Sequence, residues 1–311
     1  EELDAAKEWF FDKNSSTLYY QPEDGAEPSD LLFVATSVNN VVEVRDAQSI
    51  HFSGITFTQS QSTFLDVYEV PSGGDWSIHR GATFFVEDSE KVSVVNCIFD
   101  QVGGNALMFS NAVVDSVVAN STFLNIGDSA MVSLGSTELF DGTVGKGKMP
   151  RNNVFQNNLV DTVGVFGKQT SAYFKGVADS NTFENNVIMN GPRAGINFND
   201  GAAGGENMIG NLILNFVRES GDHGMFNSWD RQPFLYTDAK GQTQTSPKVH
   251  QIRGNFCFNK NYATNGQTRS GYCMDYDDGS SQYNATNNVF LYGGFKIRDG
   301  VNRSHDSNLI V

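Results

Sequence analysis

The sequence predicts an all-β fold: a right-handed parallel β-helix, or solenoid, with three short sheets per coil and inserted loops. Three observations lead there. A motif of short apolar strand, Asn, short apolar strand and Gly-rich turn recurs along the 311 residues. Its clearest steps, Asn158 to Asn186 to Asn211, are 28 and 25 residues long. Helical periodicity is scarce. A repeat of this length built from strands of a few residues marks stacked coils, each buried only by its neighbours.

The elements follow in order. Leu3 to Phe11 permits one short helical turn, whereas Phe10-Phe-Asp-Lys-Asn-Ser-Ser-Thr-Leu-Tyr-Tyr20 reads as two strands around a polar turn. The motif then appears at Ser49-Ile-His-Phe-Ser-Gly-Ile-Thr-Phe57, Val92-Ser-Val-Val-Asn-Cys-Ile-Phe99 and Val117-Val-Ala-Asn-Ser-Thr-Phe123. It continues at Asn153-Val-Phe-Gln-Asn-Asn-Leu-Val160, Asn181-Thr-Phe-Glu-Asn-Asn-Val-Ile188 and Asn207-Met-Ile-Gly-Asn-Leu-Ile213. The last instances are Ile252-Arg-Gly-Asn-Phe-Cys257, Asn284-Ala-Thr-Asn-Asn-Val-Phe290 and Asp306-Ser-Asn-Leu-Ile310.

Asn suits the corners of such a coil. It tolerates left-handed backbone, and its amide bonds to the copies above and below, forming a ladder. A β-sandwich predicts strands at a spacing of about 8–12 residues but not the recurring Asn. The right hand follows from the rule for parallel crossovers. Residues 1–311 read as one helix domain, part of a longer protein, with polar loops inserted near 135–150 and 236–247.

The net charge of −15 argues against nucleic acid and anionic membranes, both of which demand Lys and Arg. No run of about 18 apolar residues offers a membrane span. The chain opens at Glu1 without Met, as a processed or partial chain would. Four glycosylation sequons, at Asn14, Asn120, Asn284 and Asn302, favour a secreted, extracellular protein. Of three cysteines, Cys257 and Cys273 flank one loop and are placed to pair, while Cys97 lies in an apolar strand as a buried thiol. Their spacing makes no zinc site.

Two clusters have little hydrophobic reason to exist: Arg218-Glu-Ser-Gly-Asp-His-Gly-Met-Phe-Asn-Ser-Trp-Asp-Arg-Gln-Pro233 and Met274-Asp-Tyr-Asp-Asp-Gly-Ser-Ser281. Asn197 follows Asn186 by 11 residues, and Asp222 follows Asn211 by 11, so Asp222 is expected to stack on Asn197. Asn197-Phe-Asn-Asp200 would lie on one side, and Asp275, Asp277 and Asp278 on the other. Paired carboxylates are what glycoside cleavage needs, one giving a proton and the other attacking or activating water. Strands on adjacent coils sit ~4.8 Å apart, close to the retaining separation. Like charges at that distance raise one pKa and supply the acid.

Trp229 and Trp76 are candidates for stacking on a sugar ring. His223, Arg193, Arg231 and Lys168 are candidates for holding hydroxyls or a substrate carboxylate, with Asp230, Asp275, Asn197 and Asp200 nearby. Simpler readings stay open. Asp222 serves a turn. Asp230 and Arg231 form a structural ion pair, and Trp76 packs a loop. Asp275-Tyr-Asp-Asp-Gly binds structural calcium, although it lacks the spacing of a helix–loop–helix calcium site. No other cofactor is expected.

Glu8-Trp-Phe-Phe-Asp-Lys-Asn-Ser-Ser-Thr-Leu-Tyr-Tyr20 and Val44-Arg-Asp-Ala-Gln-Ser-Ile-His-Phe-Ser-Gly-Ile-Thr-Phe57 resemble segments of right-handed parallel β-helix proteins. Among groups of known chemistry, the chain resembles the family 141 glycoside hydrolases, whose activities include α-L-fucosidase and xylanase. Those enzymes carry Ser-Asp-x-Gly on one coil and Tyr-x-Asp-Asp on the next. The matching positions are Ser220-Gly-Asp222-His-Gly224, with one extra residue, and Tyr276-Asp277-Asp278. The resemblance implies Asp222 and Asp277 as the catalytic carboxylates, with Asp278 or Asp275 as substitutes.

Val70-Pro-Ser-Gly-Gly-Asp-Trp-Ser-Ile-His-Arg80 and Gly191-Pro-Arg-Ala-Gly-Ile-Asn-Phe-Asn-Asp-Gly201 are similar to motifs of an extracellular β-helix group of protists and some animals. That group has no established activity, and its members usually have further coils at both ends. The expected function is therefore a secreted glycoside hydrolase acting on a poly- or oligosaccharide. The alternatives are a self-assembling structural glycoprotein of a coat, wall or filament, and a polysaccharide lyase or epimerase.

Overall fold

The computed structural model describes residues 3–70, 76–137, 148–199, 203–230, 235–237, 242–245, 248–259 and 272–311. The chain divides into two compact units, one ending at Thr36 and the other running from Ser37 to Val311. In the first, Trp9–Asp12 pairs antiparallel with Thr17–Tyr20. Asp12 ties the intervening turn by accepting the Asn14 amide at 2.9 Å and the Ser15 hydroxyl at 2.6 Å. The two strands expected around a polar turn are thus present, and the described part of 3–11 is not helical.

The second unit is a right-handed parallel β-helix. Its three sheets each contain nine strands, stacked in parallel in sequence order among the described residues. The first sheet runs from Val42–Arg45 to Phe295–Ile297. The second runs from His51–Ser53 to Arg303–Asp306, and the third from Thr56–Thr58 to Leu309–Ile310. No helix of the described residues is long and apolar enough to cross a membrane.

Period-two alternation decides what enters the lumen. In the third sheet, Phe57, Phe99 and Phe123 are in register. Their rings stack at centroid distances of 4.9 and 4.7 Å. In the second sheet, Val94, Val118, Phe155, Phe183 and Met208 form a buried column. Stacking like on like lets each coil bury its neighbour's apolar face.

The corner between the second and third sheets divides the work of Asn between two adjacent residues. The first residue of each pair takes left-handed backbone: φ is 55° at Asn157, 54° at Asn185 and 56° at Asn287. Gly210 and Gly254 take that place in two coils, where the absent Cβ makes the conformation cheap. The second residue builds the ladder. Asn158, Asn186, Asn211, Asn255 and Asn288 each donate from the side chain to the next carboxamide oxygen, ending on Asn308, at 2.9–3.1 Å. Each also donates to a backbone carbonyl of the preceding coil, as Asn211 does to Phe183 at 2.9 Å.

Cys257 and Cys273 form a disulfide, and Cys97 is a buried free thiol. Asn14, Asn120 and Asn302 are exposed; Asn284 is half-buried, its amide engaged by Gln251 at 3.0 Å. The insertion near 236–247 is more than a loop. Leu235–Thr237 pairs antiparallel with Thr243–Thr245, in keeping with the strand preference of Tyr and Thr. Most of the insertion near 135–150 lies outside the described residues.

Candidate functional site

One outward column of the first sheet changes character along the axis. Phe85, Met108, Val132 and Phe174 are in register and apolar, covered by Trp76, Ile78 and Ala82. The same column continues as Asn197, Asn227, Asp275 and Lys296. Asn197, Asn227 and Asp275 are all buried. Asn197 Nδ2, Asn227 Oδ1 and Asp275 Oδ1 lack hydrogen-bond partners among the described residues. Buried polar atoms left without partners carry a cost, so a row of them sets this end of the column apart from its apolar end.

Lys296 organises the carboxylates. Its Nζ lies 3.1 Å from Asp275 Oδ2, 3.2 Å from Asp222 Oδ1 and 3.7 Å from Asp277 Oδ1. Arg298 is 3.3 Å from Asp277 and 3.7 Å from Asp278. Burial separates the first two acids. The Asp275 side chain is 0% exposed and that of Asp222 is 75% exposed. Burial pushes the Asp275 carboxyl up to about 7; Lys296 opposes that shift, and the charges of Asp277 and Asp222 add to it. At Asp222 burial is again the largest single effect, but the hydrogen bond and charge of Lys296, with the charges of His223 and Arg298, together outweigh it, so its pKa falls below the ordinary value. Two neighbouring carboxyls whose environments drive them apart are a proton donor and an ionised partner at one pH.

Beside them, Ser220, His223 and Arg193 form a relay. Arg193 Nε donates to His223 Nε2 at 3.0 Å, and His223 Nδ1 meets Ser220 Oγ at 2.7 Å. Arginine only donates, so Nε2 accepts and the imidazole proton sits on Nδ1, facing the serine. The guanidinium lies 4.6 Å from the Trp76 ring centre.

The fold has neighbours. A solved structure titled glycoside hydrolase superposes with a TM-score of 0.71 at 16% identity, covering 99% of this chain and 56% of that one. The A-module of the Azotobacter vinelandii mannuronan C-5 epimerase AlgE6 superposes at 0.51 with 12% identity, covering 86% and 57%. The chain therefore spans little more than half the length of these two solved structures. No protein family model matches the sequence. No curated protein matches it either. At such identities the likeness establishes the parallel β-helix.

The structure corrects several expectations. Asn197 pairs with Asn227, not with Asp222. The stretch from Leu214 to Phe226 is five residues longer than that from Met189 to Ile196, its partner in register, so a constant offset from the ladder Asn fails. Asp222 reaches the site from this longer corner, through Lys296. Trp76 and Trp229 are buried, at 1% and 5% exposure, and offer no free face to a sugar. Trp76 packs against Phe174 with ring centres 5.9 Å apart. Asp230 is buried and accepts the Tyr283 hydroxyl at 2.7 Å. Arg231 and Asp200 lie outside the described residues. Lys168 is away from the acids, bound to the Gly164 carbonyl at 2.9 Å and to Glu219 at 3.2 Å.

Among the described residues no group of three His, Cys, Asp or Glu is arranged to hold a metal ion. Lys296 and Arg298 provide the positive charge beside the acids instead. Sequence reading missed Lys296. Its only trace was Phe295-Lys-Ile297 after a double glycine, a strand whose middle residue points outward.

Proposed function

We propose that Ser37–Val311 is the β-helix of a secreted, glycosylated, carbohydrate-active enzyme that hydrolyses glycosidic bonds in a poly- or oligosaccharide. The observation that carries this reading is the pair Asp275 and Asp222, divided by burial and joined by Lys296. Asp275 gives its proton to the leaving oxygen while an Asp222 oxygen attacks the anomeric carbon. Water, losing a proton to Asp275, then releases the sugar from Asp222. Both carboxyls lie within hydrogen-bond reach of one ammonium, at 3.1 and 3.2 Å, a closeness that suits the ~5–5.5 Å separation of enzymes that retain anomeric configuration better than the wider inverting one. Asp277 and Asp278, paired with Arg298, then hold the charge balance of the site.

The kinship of the fold with a glycoside hydrolase supports this reading. A lyase or epimerase has one observation in its favour: the Lys296 ammonium is placed to hold a substrate carboxylate. The deciding experiment is a screen of the purified protein on fucosides, xylans and algal polysaccharides, with the anomer of the first product read by NMR. New reducing ends of retained configuration are expected. Unsaturated uronate products would replace hydrolysis by elimination, and no turnover on any glycan would leave a structural role.

The pH profile is a second test. Activity requires Asp275 protonated and Asp222 ionised, so kcat/KM is bell-shaped. The alkaline limb lies near 7, and the acid limb lies below the usual carboxylate range. Lys296 lowers both pKa values, so Lys296→Met moves both limbs to higher pH. Limbs that stay in place or move down would remove Lys296 from the mechanism.

A further inference from the structure

The corner between the third and first sheets carries Asp222, and it also carries a cavity nearer the first coil. This cavity of 270 Å³ is bordered by Phe64, Tyr68, Phe166 and Lys168, with Asp128 and Thr170 beneath. Asp128 precedes the strand Met131–Leu134 and Asp222 precedes Gly224–Ser228, three coils further on. Three strand spacings are about 14 Å.

Two features make the cavity a binding site. Phe64 and Phe166 are about half exposed, at 46% and 49%. Their rings are near parallel, 22° apart with centroids at 6.3 Å. Exposed aromatic faces on a cavity rim are what the apolar face of a ring-shaped ligand needs. The floor is polar and incomplete. Asp128 is 3% exposed; its Oδ2 accepts Thr63 at 3.0 Å and Tyr68 at 3.3 Å, while Oδ1 meets no hydrogen-bond criterion among the described residues. Burial raises the Asp128 pKa, opposed in part by Thr63, Tyr68 and the nearby Gly167 amide, which also donates to the Gly127 carbonyl at 3.1 Å. Thr170 Oγ1 is also without a partner. A Cβ on Gly167 would fall 2.1 Å from Asp128 Oδ1, so the loop closes on the carboxyl only because that residue is glycine.

Aromatic faces above and open hydrogen-bonding oxygens below match one ligand chemistry, a pyranose ring with its C–H face and its hydroxyls. We propose that this cavity is a second glycosyl-binding site, which grips a distant sugar of the same chain that the carboxylate pair cleaves. The link to cleavage rests on the hydrolase reading; the binding of a sugar does not. Lys168 joins the two places, since its partner Glu219 adjoins Ser220 of the relay.

The test is Phe64→Ala, Phe166→Ala and the double variant, with calorimetric binding of short and long oligosaccharides and steady-state kinetics on both. Both rings are half exposed, so the variants should keep the wild-type unfolding midpoint. Affinity for long oligosaccharides should fall about tenfold, the loss expected when a stacking face is removed. On long substrates KM should rise with kcat unchanged, and on short substrates neither should move. A folded double variant that binds every glycan as tightly as wild type overturns the inference, as does a wild-type chain that binds no glycan or takes a peptide instead. Binding that depends on the two rings, without turnover, keeps this site and removes the hydrolase. Turnover indifferent to both rings does the reverse.

Discussion

Asp275→Asn should lower kcat/KM at least about a thousandfold and should gain stability relative to wild type as pH rises from 4 to 8. The two effects have one cause. Asp275 is held without water beside Asp277 and Asp222, so its pKa rises from 3.8 to about 7. That shift supplies a proton donor at neutral pH, and its removal costs what general acid catalysis contributes together with the buried geometry.

The sign of the stability effect follows from linkage. The folded-state pKa is above the unfolded one, so the folded state binds the extra proton. The resulting stabilisation is full below the unfolded value near 4 and is lost as pH rises through about 7. Asn has no such loss. The variant's stability relative to wild type should therefore rise by about 3 kcal/mol between pH 4 and pH 8. Urea unfolding at the two pH values reads it directly. Comparing variant with wild type at each pH cancels His250, a buried group whose pKa is pushed down by burial and by Lys175. A variant that keeps its turnover sinks the assignment of the acid. One that loses turnover but gains no stability relative to wild type between pH 4 and pH 8 makes Asp275 a structural residue.

Asn211→Ala should cost about 4 kcal/mol, while Asn185→Ala, in the corner beside the same ladder, should cost about 1–2 kcal/mol. Asn211 accepts the backbone and side-chain amides of Asn186 at 3.0 and 3.1 Å. It donates to the Phe183 carbonyl and to Asn255, both at 2.9 Å. Alanine leaves three buried groups without that partner: the Asn186 backbone N–H, one Asn186 side-chain N–H and the Phe183 carbonyl. Each carries a desolvation cost of about 1–3 kcal/mol. At Asn185 the cost is that of left-handed backbone at φ 54°, and Asn185→Gly should relieve it. Chemical denaturation of the three variants decides this. Equal losses at the two positions would mean that the ladder hydrogen bonds add nothing beyond the corner conformation.

These corners show how much of the fold the sequence contained. Asn157-Asn158 and Asn185-Asn186 recur because each coil repeats one local problem: a left-handed turn followed by an amide that ties two coils together. Alternation within Thr182–Glu184 or Val187–Met189 is equally local, with the middle residue buried and its neighbours half-buried. Such patterns need no knowledge of distant residues. The resemblance of the two acidic elements to a hydrolase pair directed attention to the two clusters that Lys296 joins; within the second it implied Asp277, whereas the proposal made from burial is Asp275.

By itself, then, the sequence determined the β-helix, its three-sheet coil, the Asn corners and the two acidic segments, and left the pairing of Cys257 with Cys273 open. Only the tertiary structure decided which groups meet. Corner lengths vary from coil to coil, so the offset that aligns Asn197 with its ladder Asn fails for Asp222, and it is Asn227 that stacks there. Lys296 enters the site from the next coil, against Asp275. Trp76 and Trp229 are buried, and Asp230 turns to Tyr283. The division of two like carboxyls into a donor and an ionised partner depends on water reaching one and not the other. Burial of that kind is set by every coil around the site, and no short segment of sequence encodes it.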